Sequence, residues 1–347
     1  MSEEKRTELE TLGEFGLINE LTKDFKNVRP STLYGVGDDA AVIEKDADNV
    51  MLVSTDMLLE GIHFNLMYTP LLHLGYKAVV VNLSDIYAMN GIAEQITVSI
   101  AVSNRFPKEA LAELYAGIQK ACDFYEVDLV GGDTTSSLSG LMISITAIGT
   151  AKKEDVVYRN GAKENELIVV TGDLGGAYMG LQILEREKSV FTANPDIQPD
   201  LDGNDYVLER QLKPEARKDI VQFLKQLDVK PTSMIDISDG LASELYHLCT
   251  QSKLGAHIFD EKLPIDPMVS STAIDFNLSP STAALNGGED YELLFSIKQE
   301  DYDKIKGNPH MTVVGHFTQK DGGLYLVDRQ GGAIEIKAQG WNHFKSK

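Results

Sequence analysis

Apolar and polar positions in the first 150 residues switch repeatedly between a helical period and a strand period. This alternation predicts helices separated by strands. Apolar residues recur with helical spacing in "LGEFGLINELTKDF" (12–25), "LLHLGYKAVVVNLSDIYAMNG" (71–91) and "PKEALAELYAGIQKACDFY" (107–125). Strands are predicted in the stretches between them: "DAAVIE", "VMLVSTDM", "QITVSIAVS" (95–103), "VDLVGG" and "GLMISITAIGTA" (140–151).

A second series of strands and helices follows the polar, turn-rich stretch 151–165. Its predicted strands are "ELIVVTG", "SMIDIS", "YELLFSI" and "MTVVGHF", and its predicted helices are "GGAYMGLQILERE", "PEARKDIVQFLKQL" and "DGLASELYHLCTQS". Residues 189–205 are polar and interrupted by proline, which indicates a surface excursion. A chain of 347 residues exceeds a comfortable single core. We therefore expect an α/β or α+β protein with two domains, residues 1–151 and 152–347.

Composition narrows the classes of function. A net charge of −21 argues against a nucleic acid or an anionic membrane as a partner held by general electrostatics. The two cysteines and seven scattered histidines exclude a thiolate or zinc cluster. Residues 1–10 are unlike a signal peptide, and the apolar stretches are too short to span a bilayer, so we expect a cytoplasmic protein.

Six short acidic signatures dominate the candidate chemistry, each at a predicted strand end or helix start. They are "GDD" (37–39), "STD" (54–56), "NLSD" (82–85), "GGDTT" (131–135), "DISDG" (236–240) and "GGED" (287–290). One such signature is usually only a turn or a helix cap. If the six converge on one sheet edge, their carboxylates need cationic neutralisation, and an oxygen-rich site suits Mg²⁺ or Ca²⁺. The interspersed serines and threonines suit phosphate.

The usual protein cradles for phosphate do not occur in this sequence. There is no GxxxxGK[ST] motif and no HRD or DFG pair, and "GVGDD" lacks the third glycine of a dinucleotide fingerprint. Lys77 and Arg159 are the nearest obvious basic candidates. Several Mg²⁺ ions would then neutralise the phosphates, which predicts metal-assisted phosphoryl transfer.

These motifs, in this order, resemble the thiamine-monophosphate kinase family. The resemblance rests on "GVGDDAAV", "STDM", "HF" (63–64), "GYKAVVVNLSDIYAMNG", "DLVGGDTT", "IDISDG" and "GGEDYELLF", and leaves out residues 1–11 and 189–205. It implies a superfamily shared with aminoimidazole ribonucleotide synthetase, selenophosphate synthetase and a hydrogenase maturation protein. It also implies a homodimer whose N-terminal domains join strands into a β-barrel, ATP held between the two domains, and direct transfer of its γ-phosphoryl group to thiamine monophosphate.

The resemblance also implies roles for individual residues. Those implied to bind Mg²⁺ are Asp39, Ser54, Thr55, Asp56, Asp85, Asp133, Asp236 and Asp239, of which Asp39, Asp56, Asp85 and Asp133 are the catalytic carboxylates. Those implied to contact ATP are Tyr115, Gly132, Asp133, Arg159 and Ser238. Those implied to contact thiamine monophosphate are His63, Glu289 and Trp341. In "GDD" the family role falls on the second aspartate.

Some of these residues have an ordinary structural alternative. His63 is equally readable as a loop histidine, and Glu289 as part of a solvated turn. Tyr115 has apolar helical neighbours that suit a core position, and Trp341 suits a staple for the C-terminal tail.

Two other functions stay open at this point. Another enzyme of the superfamily is one, although this chain has no cysteine before Cys122 and does not end in a cysteine tail. A non-catalytic Ca²⁺-binding protein is the other, although EF-hand spacing is absent. For the implied dimer, the apolar strands at 95–103 and 140–151 are the candidates to pair across subunits.

Overall fold

The computed structural model describes residues 13–337, and the strands in this range form two sheets. The strands are β1 (Thr32–Tyr34), β2 (Ala41–Glu44), β3 (Asn49–Leu59), β4 (Ile92–Val102), β5 (Asp128–Ser136), β6 (Leu141–Lys152), β7 (Leu167–Thr171), β8 (Ser233–Ile237), β9 (Leu254–Phe259), β10 (Glu292–Ile297), β11 (Met311–Gln319), β12 (Leu324–Val327) and β13 (Ala333–Glu335). The helices are α1 (Gly13–Thr22), α2 (Leu71–Ala88), α3 (Lys108–Tyr125), α4 (Gly176–Ala193), α5 (Asp205–Leu212), α6 (Lys218–Gln226), α7 (Leu241–Ser252), α8 (Pro267–Asp275), α9 (Pro280–Asn286) and α10 (Tyr302–Ile305).

The first sheet has the strand order β1-β2-β3-β6-β4-β5. Its pairs are antiparallel except β4 with β5, which run parallel. In β6 the buried and half-buried residues alternate strictly from Leu141 to Thr150, as expected when one face of a strand packs on helices. The inner face of this sheet packs against α2, and the outer face carries Ser and Thr side chains.

Helix α2 runs through the centre of the molecule, with almost every residue buried. It contacts α3, both β3 and β6 of the first sheet, and β8 of the second. Its apolar residues surround the axis, which is typical of a helix enclosed by protein. The crossing with α3 requires glycine, because a Cβ at Gly75 would lie 2.0 Å from the Leu114 carbonyl oxygen and one at Gly117 would lie 1.9 Å from that of Leu72.

The second sheet has the strand order β13-β12-β9-β11-β7-β10-β8. Its pairs are antiparallel except β12 with β9. Strands β8 and β10 are buried along their whole length, and α7 packs against them. One hydrophobic cluster joins the two halves, since Ala216 and Ile220 of the second half pack with Tyr125 of the first.

The predicted mixed α/β class is confirmed, with two sheets. The predicted boundary between residues 151 and 152 falls at the end of β6, and the division into two domains stays a prediction. In the part of the chain that the structure describes, no helix is long and apolar enough to cross a membrane. Strands β1, β9, β12 and β13 and helices α5, α8, α9 and α10 were not predicted, because these elements are short or begin in polar, proline-containing sequence.

The placement of three acidic signatures differs from the prediction. "STD" lies in the middle of β3, "NLSD" in the last turns of α2, and "GGDTT" within β5, rather than at strand ends or helix starts. The predicted surface excursion begins later than expected, because α4 continues to Ala193 before the exposed segment 194–204.

Candidate active site

Three carboxylates that are far apart in sequence meet in the interior. Oxygen atoms of Asp39, Asp85 and Asp236 all lie within 4.8 Å of one another. Asp39 follows a turn before β2, Asp85 lies in α2, and Asp236 lies in β8. This group, called here the acidic centre, therefore draws on both halves of the chain.

Hydroxyl groups from neighbouring elements hold the acidic centre in place. The Ser54 hydroxyl donates to Asp85 Oδ2, which joins β3 to α2. The Ser84 hydroxyl donates to Asp236 Oδ2 at 2.6 Å, which joins α2 to β8. In the sequence these hydroxyls suggested phosphate ligands, whereas in the structure they orient carboxylates.

Asp56 and Asn82 bring β3 and α2 together next to these contacts. The Asp56 backbone N–H donates to Asn82 Oδ1 at 2.8 Å, and the Asn82 amide in turn donates to the Ala78 carbonyl at 3.0 Å. Asn82 was not predicted as a site residue. Its only signal was its position in "NLSD", where a buried amide on a helix has to satisfy its hydrogen bonds.

The two adjacent aspartates of "GDD" have different partners. Asp38 accepts the backbone N–H of Arg159 at 3.1 Å and that of Asp39 at 3.1 Å, so it holds the loop together. Asp39 accepts the Arg159 guanidinium through Nε at 3.1 Å and through Nη2. Arg159 thus neutralises part of the charge of this pair and lies at the acidic centre.

The acidic centre is electrostatically costly for the chain. Burial and, next, the nearby Asp39 carboxylate raise the pKa of Asp236 to about 7. The pKa of Asp85 is also raised well above its usual range, first by burial and then by Asp56, Asp236 and Asp39. Burial and the Asp39 carboxylate likewise raise the pKa of Asp38 to about 7. Additional positive charge would stabilise the ionised forms of these carboxylates.

The residues present fit a hard divalent cation. Asp39 Oδ2 is buried and has no hydrogen-bond partner among the described residues, although its other oxygen accepts from Arg159. An orphaned carboxylate oxygen beside two further carboxylates is an arrangement of oxygen donors that suits Mg²⁺ or Ca²⁺. Nitrogen or sulfur donors, which zinc prefers, do not take part in the group.

Backbone hydrogen bonds connect the "DISDG" and "GGED" signatures beside the acidic centre. The Ser238 carbonyl accepts the backbone N–H of Glu289 at 2.7 Å, and the Ile237 carbonyl accepts that of Tyr291 at 2.9 Å. A Cβ at Gly288 would lie 2.5 Å from the Ser238 carbonyl oxygen, so the close approach requires glycine there. The two predicted loops are therefore joined by backbone hydrogen bonds.

Glu244 is a buried carboxylate in this region that the sequence analysis missed. It lies in the first turn of α7, and its Oε1 accepts the Asp239 backbone N–H at 2.9 Å and the Ser238 hydroxyl at 3.4 Å. Its Oε2 is buried without a hydrogen-bond partner among the described residues. Burial and the Asp239 carboxylate raise its pKa well above the usual range. Its position in the first turn of a predicted helix could have drawn attention to it, but an acid there is usually interpreted as a helix cap.

The predicted acceptor residues are only partly brought together. Glu289 lies in the loop before β10, where its carboxylate forms an ion pair with Lys77 at 2.8 Å and accepts the Gln211 amide at 2.7 Å. His63 is half-buried in the loop after β3, and its Nδ1 accepts the Leu59 backbone N–H at 3.0 Å. Trp341 lies outside the described residues.

The predicted nucleotide residues Tyr115, Gly132 and Asp133 line a separate groove between α3 and β5. A cavity of about 510 Å³ there is also lined by Val130 and Thr134, and it adjoins a larger one of about 930 Å³ that shares Tyr115. A Cβ at Gly132 would lie 1.8 Å from the Val98 carbonyl oxygen, so only glycine fits. We call this feature the edge groove.

The edge groove and Asp56, which is adjacent to the acidic centre, lie on one row of the first sheet. Asp56 pairs with Ile145, Ile145 with Val98, and Val98 with Gly132. Three strand spacings of about 4.8 Å separate the ends of this row by about 14 Å. The structure therefore does not bring Asp133 into the acidic centre.

Thr55 and Asp133 are also directed away from the acidic centre. The Thr55 hydroxyl donates to the Ile145 carbonyl at 3.0 Å, on the opposite face of β3 from Ser54. Asp133 pairs with Ser99 on β4, and Ser99 pairs with Ser144 on β6, which lie on this same outer face. Of the predicted metal ligands, Asp39, Asp85 and Asp236 meet directly, with Ser54 and Asp56 adjacent.

The sequence is similar to a protein-family model and to known proteins. Residues 37–151 match the family model described as AIR synthase related protein, N-terminal domain. Thiamine-monophosphate kinase of Bacillus subtilis (strain 168) is 31% identical over 342 residues, which cover 96% of this chain and 100% of that protein.

Solved structures give a similar result. The structure of AaThiL complexed with AMPPCP and TMP is 30% identical, with a TM-score of 0.83 over 98% of this chain and 99% of that chain. The hydrogenase maturation protein HypE in complex with ATP is 18% identical, with a TM-score of 0.67 over 97% and 99% of the two chains. The second likeness shows a shared fold alone.

Proposed function

The chain belongs to the thiamine-monophosphate kinase family, and we propose that the acidic centre is where it transfers the γ-phosphoryl group of ATP directly to thiamine monophosphate. The reaction of the family forms thiamine diphosphate. The observation that carries the proposal is the meeting of Asp39, Asp85 and Asp236 within 4.8 Å. Two buried acids and one half-buried acid at one point are hard to explain as turns or caps.

Both substrates of this reaction are anions, which defines what the chain has to do. The phosphate monoester of the acceptor has a second pKa near 6 and is mostly ionised at neutral pH, so no general base is required. The remaining barrier is repulsion between two anions and their alignment. The chain meets it with carboxylates that bind cations rather than with a cluster of basic side chains.

The residues that would hold Mg²⁺ are those of the acidic centre, with Ser54, Asp56 and Asp239 beside it. When bound there, Mg²⁺ would neutralise phosphate charge and stabilise the charge that develops during transfer. Ser54 and Ser84 orient two of the carboxylates, which keeps them in place before substrates arrive. Arg159 supplies the nearest fixed positive charge.

The nucleotide would bind at the edge groove, which Tyr115 and Gly132 line. The row between Gly132 and Asp56 is not its path, because Val98 and Ile145 in that row are buried. An extended triphosphate would have to cover about 14 Å to reach Asp56. In this arrangement Asp133 would serve the nucleotide end, and Glu289 and His63 the acceptor end.

A product assay tests the proposal directly. Purified protein with ATP, Mg²⁺ and thiamine monophosphate should form ADP and thiamine diphosphate in equal amounts, and chelation of divalent metal should abolish the reaction. Turnover that persists after thorough chelation would refute the metal-assisted route. Hydrolysis of ATP without thiamine diphosphate would instead favour another member of the superfamily.

We also propose a homodimer. Its subunits would not pair through the strands at 95–103 and 140–151, which the sequence analysis named as candidates. The strands at 95–103 and 140–151 lie inside the sheet as β4 and β6, so they have no open edge. Within residues 13–337 an open edge belongs to β5, which is exposed along its length and carries Leu129 and Val130. Such an edge favours coverage by a second copy. A mass by light scattering that equals one chain at all concentrations would contradict the dimer.

A further inference from the structure

Glu289, the predicted acceptor residue, already has a cationic partner inside the protein. The Lys77 ammonium lies 2.8 Å from Glu289 Oε1, and its side chain is 3% exposed while that of Glu289 is 25% exposed. Lys77 also donates to the Gln211 carbonyl at 3.1 Å. The Lys77 ammonium is therefore occupied by Glu289 and Gln211. It is not available to bind phosphate, as its position in the sequence had suggested.

The second carboxylate oxygen of Glu289 is held as well. The Gln211 amide donates to Oε2 at 2.7 Å, so each oxygen has a fixed donor on a different helix, α2 or α5. The backbone is equally constrained, because Glu289 has a left-handed φ of 67° and its N–H is bonded to Ser238. A non-glycine residue in that conformation stays there only when its surroundings hold it.

These contacts bear on how thiamine monophosphate is recognised. An ion pair with buried Lys77 cancels the formal charge of Glu289, which leaves it a weak counter-ion for the thiazolium. Its exposed lone pairs can still accept a hydrogen bond. The amino group on the pyrimidine carries the N–H bonds of thiamine, so it is the natural donor to such an acceptor.

We propose that Lys77 is a positioning residue, which together with Gln211 orients Glu289 as a hydrogen-bond acceptor for the pyrimidine amino group of the substrate. The proposal rests on the proposed function, since it assumes that thiamine monophosphate is the acceptor. Helix α2 also fixes the position of Lys77 relative to the acidic centre. Lys77 and Asp85 lie on this one buried helix, about 12 Å apart at 1.5 Å per residue.

The first test uses the wild-type protein and needs no variant. Oxythiamine monophosphate keeps the thiazolium and the phosphate but replaces the amino group by an oxo group, so it presents an acceptor to Glu289. We expect its KM to exceed that of thiamine monophosphate by about tenfold or more, as for a lost hydrogen bond to a charged group. Equal KM values for the two compounds would overturn the proposal.

The second test removes the cation. Lys77→Met should raise the KM for thiamine monophosphate about tenfold and reduce the discrimination against oxythiamine monophosphate, with kcat changed less than about threefold. A free counter-ion would behave in the opposite way, because removal of Lys77 would release its charge and tighten binding of the thiazolium. Tighter or unchanged binding of thiamine monophosphate would therefore refute the role of Lys77.

The matched control is Lys153→Met, which breaks an ion pair with Glu44 at 2.6 Å, where β2 ends and β3 begins. It should leave both KM values unchanged. If Lys77→Met does not fold, Gln211→Met removes the other donor and should lower the discrimination in the same direction. Wild-type protein that makes no thiamine diphosphate would refute the proposed function, whereas normal wild-type turnover with Lys77→Met equal to Lys153→Met would refute only this inference.

Discussion

The acidic centre and the edge groove are built in opposite ways. The acidic centre lies in the interior, where α2, β8 and the turn before β2 each contribute a carboxylate that a hydroxyl or a guanidinium holds in place. The edge groove lies on β5, a strand exposed along its whole length, and depends on backbone shape at Gly132. Side chains that bind cations have to be held in fixed positions by the surrounding protein. A surface for a nucleotide needs an accessible strand and a close approach of backbone.

This comparison predicts that charge changes at the acidic centre act on catalysis, whereas shape changes at the edge groove act on nucleotide binding. Four experiments test this difference.

The largest effect is expected at Asp85. Asp85→Asn should lower kcat about 10³-fold, because it removes a charge at the point where phosphate charge has to be neutralised. Asp38→Asn is the matched control and should cost about tenfold, since Asp38 accepts backbone N–H groups that hold its loop. Steady-state kinetics on folded variants measure both, and equal losses would show that the two aspartates do not differ in role.

The next effect concerns metal binding without catalysis. Mg²⁺ at about 100 times its Kd should stabilise the wild-type protein by about 2.7 kcal/mol, visible as a rise in Tm of several degrees. Asp85→Asn should lose most of this rise. A variant of the edge groove, Gly132→Ala, should keep it, and a loss in both variants would mean that the two regions share one metal site.

Gly132 tests the edge groove itself. Gly132→Ala places a Cβ 1.8 Å from the Val98 carbonyl oxygen and should cost about 2 kcal/mol of stability while raising the Kd of an ATP analogue. The neighbouring Gly131→Ala is a close control, because its Cβ would lie 3.9 Å from the nearest Thr97 atom. Denaturant titration and nucleotide titration separate the two, and equal behaviour would contradict a shape requirement at Gly132.

The smallest effect is expected at Glu244. Glu244→Ala removes the acceptor for the Asp239 backbone N–H and should cost about 1 to 2 kcal/mol in stability, with a weaker response to Mg²⁺. Glu244→Gln retains a carbonyl oxygen for that N–H and should restore most of the stability. A glutamine variant as impaired as the alanine variant would mean that the charge of Glu244, rather than its hydrogen bond, is required.

Sequence patterns predicted the long elements well. Helices α2 and α3 and strands β4 and β6 were predicted because each repeats its period over many residues. The elements that were missed, such as β1 and α9, have three to nine residues, since a short segment does not repeat its period often enough to be distinguished. Strands β7 and β10 are also short, but their apolar runs predicted them.

The kinds of donor atom at the candidate site could be predicted from the sequence alone. It contains oxygen donors in six signatures and few basic residues beside them, and this composition indicates a hard cation whatever the fold. The motif order also identified the family, because it reflects which residues occur and in what succession.

Which of these residues lie close together depends on the tertiary structure. Alternation along β3 turns Ser54 toward α2 and Thr55 away from it, and the strand order sets Asp133 about 14 Å from Asp56. The pairing of Lys77 with Glu289 likewise joins residues that no local pattern connects. Local periodicity depends on near neighbours in the chain, whereas contacts between distant residues depend on how sheets and helices pack.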